Sequence, residues 1–168
     1  MSMVDEAMRD PVSVAMLKTD GSRIIKLGEA AGPRIGWILH ALLEEVLDDP
    51  KKNTEEYLES RANDLMKLEL AIIENIQRED LNPVDRARAF QRLIDDFKFT
   101  HADIGKKVGK SREYVSNTLR ILALPKEMQD ALGAGEISEG HTRPLLMLVD
   151  RAEMQNTLFK EIITRRLT

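Results

Sequence analysis

Residues 100–125 read THADIGKKVGKSREYVSNTLRILALP, and both fold and function turn on how they are parsed. The Gly109-Lys110-Ser111 triplet looks like the end of a phosphate-binding loop. Such a loop needs four residues between its first glycine and the Gly-Lys-Ser, so that its amides can curl around a phosphate. Gly105 leaves only three, Lys106, Lys107 and Val108, and a helical pattern precedes them where the loop requires a strand. A pair of helices fits better. Thr100 predicts an N-cap, with Asp103 at the reciprocal capping-box position. Two helices that cross steeply need a small residue where their backbones meet and a glycine at the turn between them. Gly105 and Gly109 supply these, and Ile104, Val108, Val115 and Leu119 then point inward.

The second helix starts at Ser111 and carries Lys110, Ser111, Arg112, Tyr114, Asn117, Thr118 and Arg120 on its outward face. Ser, Arg, Asn and Thr side chains can grip phosphates and read base edges. A capped helix start also offers free amides to an anion. On this reading Arg112 and Asn117 read bases, while Lys106, Lys107 and Lys110 hold phosphates. The spacing by itself also fits an ordinary helical hairpin with a polar outer face.

Charge is distributed to suit the first reading. The chain has 168 residues and net charge −4. Residues 1–100 hold 14 basic and 20 acidic side chains, a balance of −6; residues 101–168 hold 11 and 9, a balance of +2. The window 98–126 holds 7 and 2, a balance of +5. A local excess of cations suits a polyanion, because neutralising phosphates releases counterions. A solvated helix face would look the same.

Only seven aromatics occur and strand-like alternation is scarce, so the expected fold class is all-α. An apolar stripe at 35, 38, 39, 42, 43, 46 and 47 predicts a helix that Asp49-Pro50 ends. Asp20-Gly21 reads as a turn, and Gly28, Gly32, Pro33 and Gly36 read as breaks. Asn53 or Thr54 caps a helix that stops near Arg61 or continues to Ile76. Asn82-Pro83 is a strong helix start, and the helix after it buries Val84, Ala87, Phe90, Leu93, Ile94 and Phe97. Further helices are expected from Pro125, from Ser138 or Thr142, and over 151–166. The expected division is a helical segment at 1–67 and a second domain at 68–168.

Three stretches together resemble the central part of ParB chromosome- and plasmid-partitioning proteins: ENIQREDLNPVDRARAFQRLIDDF, FTHADIGKKVGKSREYVSNTLRILALP and ISEGHTRPLLML. The likeness runs over residues 68–168. It implies sequence-specific double-stranded DNA binding at an inverted-repeat centromere site, with a helix-turn-helix in the major groove. It also implies a ParA-type ATPase partner and a cytoplasmic, nucleoid-associated location. Ser111 and Arg112 match the start of the recognition helix, and Asn117, Thr118 and Arg120 its body. His141 and Arg143 match the adjoining Gly-His-x-Arg motif. The family's N-terminal domain binds CTP with magnesium, and its Glu-Asn-x-x-Arg motif is matched by Glu74, Asn75 and Arg78. The companion Gly-Glu-Arg-Arg stretch is absent, so no cofactor is expected. The chain stops about where the family continues toward a dimerisation domain, which implies a weak homodimer or a monomer that pairs on DNA. Residues 19–60 resemble the C-terminal helical tail of tRNA nucleotidyltransferases, with no catalytic residue carried over. A CTP-binding switch and a helical protein- or RNA-interaction module are the rival readings.

His40, His101 and His141 are widely separated and form no metal-ligand pattern. The neighbours Asp48-Asp49 and Asp95-Asp96 point about 100° apart on a helix and make no acid/base couple. Neither an enzyme nor a metal site is expected. The longest apolar stretch, broken by His40, Glu44 and Glu45, is too short for a membrane span.

Overall fold

A computed structural model describes residues 13–28 and 33–166, and these are helical without a strand. The helices are α1 (Gly21–Lys26), α2 (Pro33–Asp48), α3 (Glu55–Ile76), α4 (Pro83–Phe97), α5 (His101–Val108), α6 (Arg112–Arg120), α7 (Lys126–Gly133), α8 (Glu139–Met147) and α9 (Ala152–Arg165). Short 3₁₀ turns lie at Val14–Met16, Pro50–Lys52 and Ile121–Ala123. The chain forms two compact units, Met1–Ala71 and Ile72–Thr168, with the division inside α3.

The first unit packs Ile24, Ile38, Leu42, Val46, Leu58 and Ala62 into a core from which solvent is excluded. Two sequence expectations fail here. Asp20-Gly21 is a helix start, because the Asp20 carboxylate accepts the Arg23 amide at 3.0 Å and caps α1. Gly36 lies inside α2 and breaks nothing. Asp49 does end α2, and its side chain accepts the Lys51 amide at 3.2 Å. Thr54, not Asn53, caps α3, accepting the Tyr57 amide at 3.2 Å. Asn53 instead ties down the preceding segment, accepting from the Lys18 amide at 2.9 Å and donating to the Met16 carbonyl at 3.1 Å. Gly28 adopts a positive φ past the end of α1, while Gly32 and much of the GEAAGPRIG stretch lie outside the described residues.

Ion pairs cross the first unit. Arg23 pairs with Glu55 and, at 3.2 Å, with Glu59. Arg34 pairs with the buried Glu69. Arg61 Nε and the Tyr57 hydroxyl both donate to Glu45, each at 2.7 Å. Burial works against the Glu45 charge, but hydrogen bonds from Arg61 and Tyr57 outweigh it and hold the carboxyl below its ordinary value of 4.5. The hydrogen bond to Glu45 in turn pushes the Tyr57 phenol up.

In the second unit Asn82 caps α4 as expected, accepting the Asp85 amide at 2.9 Å, with Pro83 in the first turn. Of the six residues expected inside, Val84, Ala87, Phe90, Leu93 and Phe97 are buried and Ile94 is partly exposed. Lys98 ends α4 in the left-handed conformation at φ 54°, and the Phe99 amide folds back to the Leu93 carbonyl. Helices α7, α8 and α9 then build a core with α4 around Met128, Leu132, Leu145, Phe159 and Ile162. Each such side chain contributes about 1.5–3 kcal/mol when withdrawn from water. Ser138 opens α8, and Pro144 sits within it, not in its first turn.

Candidate nucleic-acid interface

The turn between α5 and α6 follows from local chemistry. Thr100 and Asp103 complete a capping box: the Asp103 amide donates to the Thr100 hydroxyl at 3.1 Å and the Thr100 amide to Asp103 at 3.0 Å. Gly109 ends α5 at φ 69°, a conformation that costs other residues steric strain. The Lys110 amide returns to the Gly105 carbonyl at 2.8 Å. A Cβ at Gly105 would lie 2.6 Å from the Lys110 carbonyl oxygen, so the two helices can meet only over a glycine. Ser111 caps α6, accepting the Tyr114 amide at 3.1 Å. Ile104 and Val115 close the angle from inside, both without solvent exposure.

This geometry sorts the side chains of α6. Ser111, Arg112, Asn117 and Arg120 are exposed, as are Lys106, Lys107 and Lys110 before them. The side chains of Lys106, Arg112, Asn117 and Arg120 form no hydrogen bond or ion pair within the described residues. Lys110 lies 5.4 Å over the Tyr114 ring, whose edge meets Phe90 at 6.5 Å between centroids. Tyr114 is thus half-buried, an anchor for α6 that also holds Lys110 in place.

Thr118 departs from the expectation that it faces outward. It is 7% exposed, and its hydroxyl donates to the Tyr114 carbonyl at 2.9 Å. The buried stripe runs through Val115 and Thr118, with Leu119 half-buried, a small rotation from the Val115–Leu119 seam the sequence suggested. His141 also differs from expectation. Its Nδ1 accepts the Ser138 amide at 3.0 Å, completing a capping box for α8, and its Nε2 is shielded from solvent. The ring therefore caps its own helix. Arg143 is exposed and has no partner among the described residues, and it joins Asn117 and Arg120 along a groove of about 270 Å³ between α6 and α8. Ile121, Leu146 and Met147 also line it.

Among the groove residues that sequence reasoning missed, one is charged. Glu139, the first residue of α8, lines the groove together with Asn117, and Arg86 of α4 donates to it at 3.1 Å. The partners are 53 residues apart, so no local pattern announces them.

Glu74 and Asn75 occupy the last turn of α3, exposed, and Arg78 lies beyond it. Helix α3 ends at Ile76, so Arg78 does not stand one helical turn from Glu74. Arg78 makes two bonds to Asp80, at 3.1 and 2.9 Å. That hydrogen bonding lowers the Asp80 pKa and raises that of Arg78. No group of three His, Asp or Glu side chains among the described residues could hold a metal ion, and no described helix is long and apolar enough to cross a membrane.

A short capped helix, a glycine-locked turn and a second helix with a free polar face define a helix-turn-helix module. The family model of the ParB HTH domain matches residues 79–168, more than half of the chain, and the protein belongs to that family. The chromosome-partitioning protein ParB of Myxococcus xanthus (strain DK1622) is 41% identical over 105 residues, covering 62% of this chain and 35% of that protein. A crystal structure of C-terminally truncated ParB from Caulobacter crescentus, complexed to the centromeric parS site, aligns at TM-score 0.55 and 35% identity. It covers 69% of this chain and 67% of that one. A second structure, a ParB DNA-binding domain complexed to parS, aligns at TM-score 0.51 and 40% identity over 61% of this chain and 70% of that one. The chain spans 26–37% of the length of the first four curated relatives it matches.

Proposed function

We propose that this chain binds double-stranded DNA sequence-specifically, at an inverted repeat of the centromere type, in chromosome or plasmid partitioning. One observation carries the reading: the exposed face of α6 offers Arg112, Asn117 and Arg120 with no partner among the described residues. Long polar side chains left unpaired on a well-anchored helix are available for a ligand, and their donor and acceptor pattern suits base edges and phosphates. The parS complexes formed by similar ParB structures support the same choice.

In this reading the α6 N-terminus enters the major groove. Arg112 and Asn117 face base edges. Lys106, Lys107, Lys110 and Arg143 neutralise phosphates, and Ser111 presents the helix start to one of them. Tyr114 and Thr118 act by holding α6 against α4. An inverted repeat requires two copies, so the chain binds as a weak dimer or as monomers that pair on DNA. A ParA-type ATPase partner and a nucleoid location follow from the family resemblance. The chain acts as a binding module and not as an enzyme. The Gly-Glu-Arg-Arg stretch is absent, so CTP has no part in this reading.

A gel shift of the intact chain on a parS-type inverted repeat and on a scrambled duplex, at two salt concentrations, tests the proposal. Tighter binding to the repeat, weakening steeply with salt, is the expected outcome. Equal affinity for both duplexes, or none for either, would refute it. Titration with CTP and magnesium should leave the affinity unchanged.

A further inference from the structure

Glu139 is out of place on a face meant for a polyanion. It lines the groove that also holds Asn117, Arg120 and Arg143, and its side chain remains about half exposed. A carboxylate beside phosphates raises the cost of binding unless it meets a hydrogen-bond donor. On the major-groove edge of B-DNA the donors are the amino groups of cytosine and adenine.

The surroundings of Glu139 hold it ready for such a contact. Arg86 Nη1 donates to Glu139 Oε1 at 3.1 Å, while Arg86 Nη2 donates to the Leu81 carbonyl at 3.1 Å. The guanidinium is largely buried and fixed at both ends. The Thr142 hydroxyl donates to the Glu139 carbonyl at 2.6 Å, and the capping box of Ser138 and His141 sets the start of α8. Backbone and side chain are therefore both positioned. Arg86 offsets the charge yet occupies only part of the acceptor capacity, since a carboxylate can accept about four hydrogen bonds.

We infer that Glu139 is a specificity-determining residue, accepting from the exocyclic amino group of one cytosine or adenine per half-site, and that Arg86 is its positioning residue. This rests on the DNA-binding reading above. It adds a contact from α8 of a kind the cations of α6 cannot make, because arginine and lysine only donate.

The test is selection of duplexes from a randomised library by the intact protein, by Glu139→Ala, Glu139→Gln and Arg86→Ala, with thermal unfolding of each. The wild type should select a C·G or A·T pair at one position per half-site, and discrimination there should fall about tenfold in Glu139→Ala. Arg86→Ala should weaken the same position. Glu139→Gln, which keeps one acceptor oxygen, should retain part of the preference. Preferences at other positions should persist. Identical selected sites for wild type and Glu139→Ala would overturn the inference. So would a uniform loss across all positions that tracks a lower unfolding temperature, which would make the pair a clasp between α4 and α8. If the wild type selects no sequence at all, the DNA-binding reading itself falls.

Discussion

The two units differ in how completely they pair their arginines. In residues 13–71 every described arginine meets a glutamate: Arg23 with Glu55 and Glu59, Arg34 with Glu69, Arg61 with Glu45. In the second unit Arg78, Arg86, Arg88, Arg92 and Arg165 are likewise paired, but Arg112, Arg120, Arg143, Arg151 and Arg166 find no ion-pair partner among the described residues. Of that set Arg120 and Arg143 line one groove between α6 and α8, and Arg112 stands on the exposed face of α6. Basic residues alone therefore do not mark the interface. What marks it is the grouping, on α6 and α8, of cations that find no partner among the described residues.

The sharpest way to break this contrast is at a glycine. Gly105→Ala forces a Cβ against the Lys110 carbonyl, and its neighbour there is backbone that cannot move aside. It should destabilise the protein by about 1–3 kcal/mol or more in urea unfolding and abolish duplex binding. Gly36→Ala in α2 meets nothing within 4 Å and should add about 0.4–1 kcal/mol without touching DNA affinity. Equal effects of the two would contradict the close crossing of α5 and α6.

Next come the arginines themselves. Arg112→Ala should cost about 1–3 kcal/mol of affinity on the selected site and relax base choice there, with stability unchanged. Arg61→Ala should do the reverse, lowering stability by about 1 kcal/mol and sparing affinity. Comparing isotherms with melting curves for the two variants decides whether partnering separates structural arginines from functional ones.

Acid should weaken the first unit through Glu45. Its folded pKa lies below the ordinary 4.5, so its contribution is complete above that value and disappears as pH falls through the depressed one. Glu45→Gln should cost about 1–2 kcal/mol at neutral pH and flatten the acid limb of the stability profile. The smallest effect is that of Lys106→Ala. It should weaken cognate and scrambled duplexes alike and reduce the salt slope by about 1.

Much of this was legible in the sequence because it is local. Asn82, Thr100 and Ser111 declare helix starts within three or four residues, and Gly105 and Gly109 declare the turn. What was misread depended on context. Gly21 looked like part of a turn, although a glycine in the first turn of a helix is acceptable once Asp20 caps it. Thr118 looked polar and outward, but a threonine can satisfy its hydroxyl on the preceding turn and then be buried. Glu139 carries no signal of its own in the sequence, and only the fold brings Arg86 to it.

Methylation interference on a bound parS-type duplex addresses the central claim most directly, because it marks guanine N7 in the major groove and adenine N3 in the minor groove. Loss of binding on guanine N7 methylation within each half-site, and no such sensitivity in Arg112→Ala at the guanine it contacts, is the result expected of α6 in the major groove. Interference confined to adenine N3, or at no position, would contradict it.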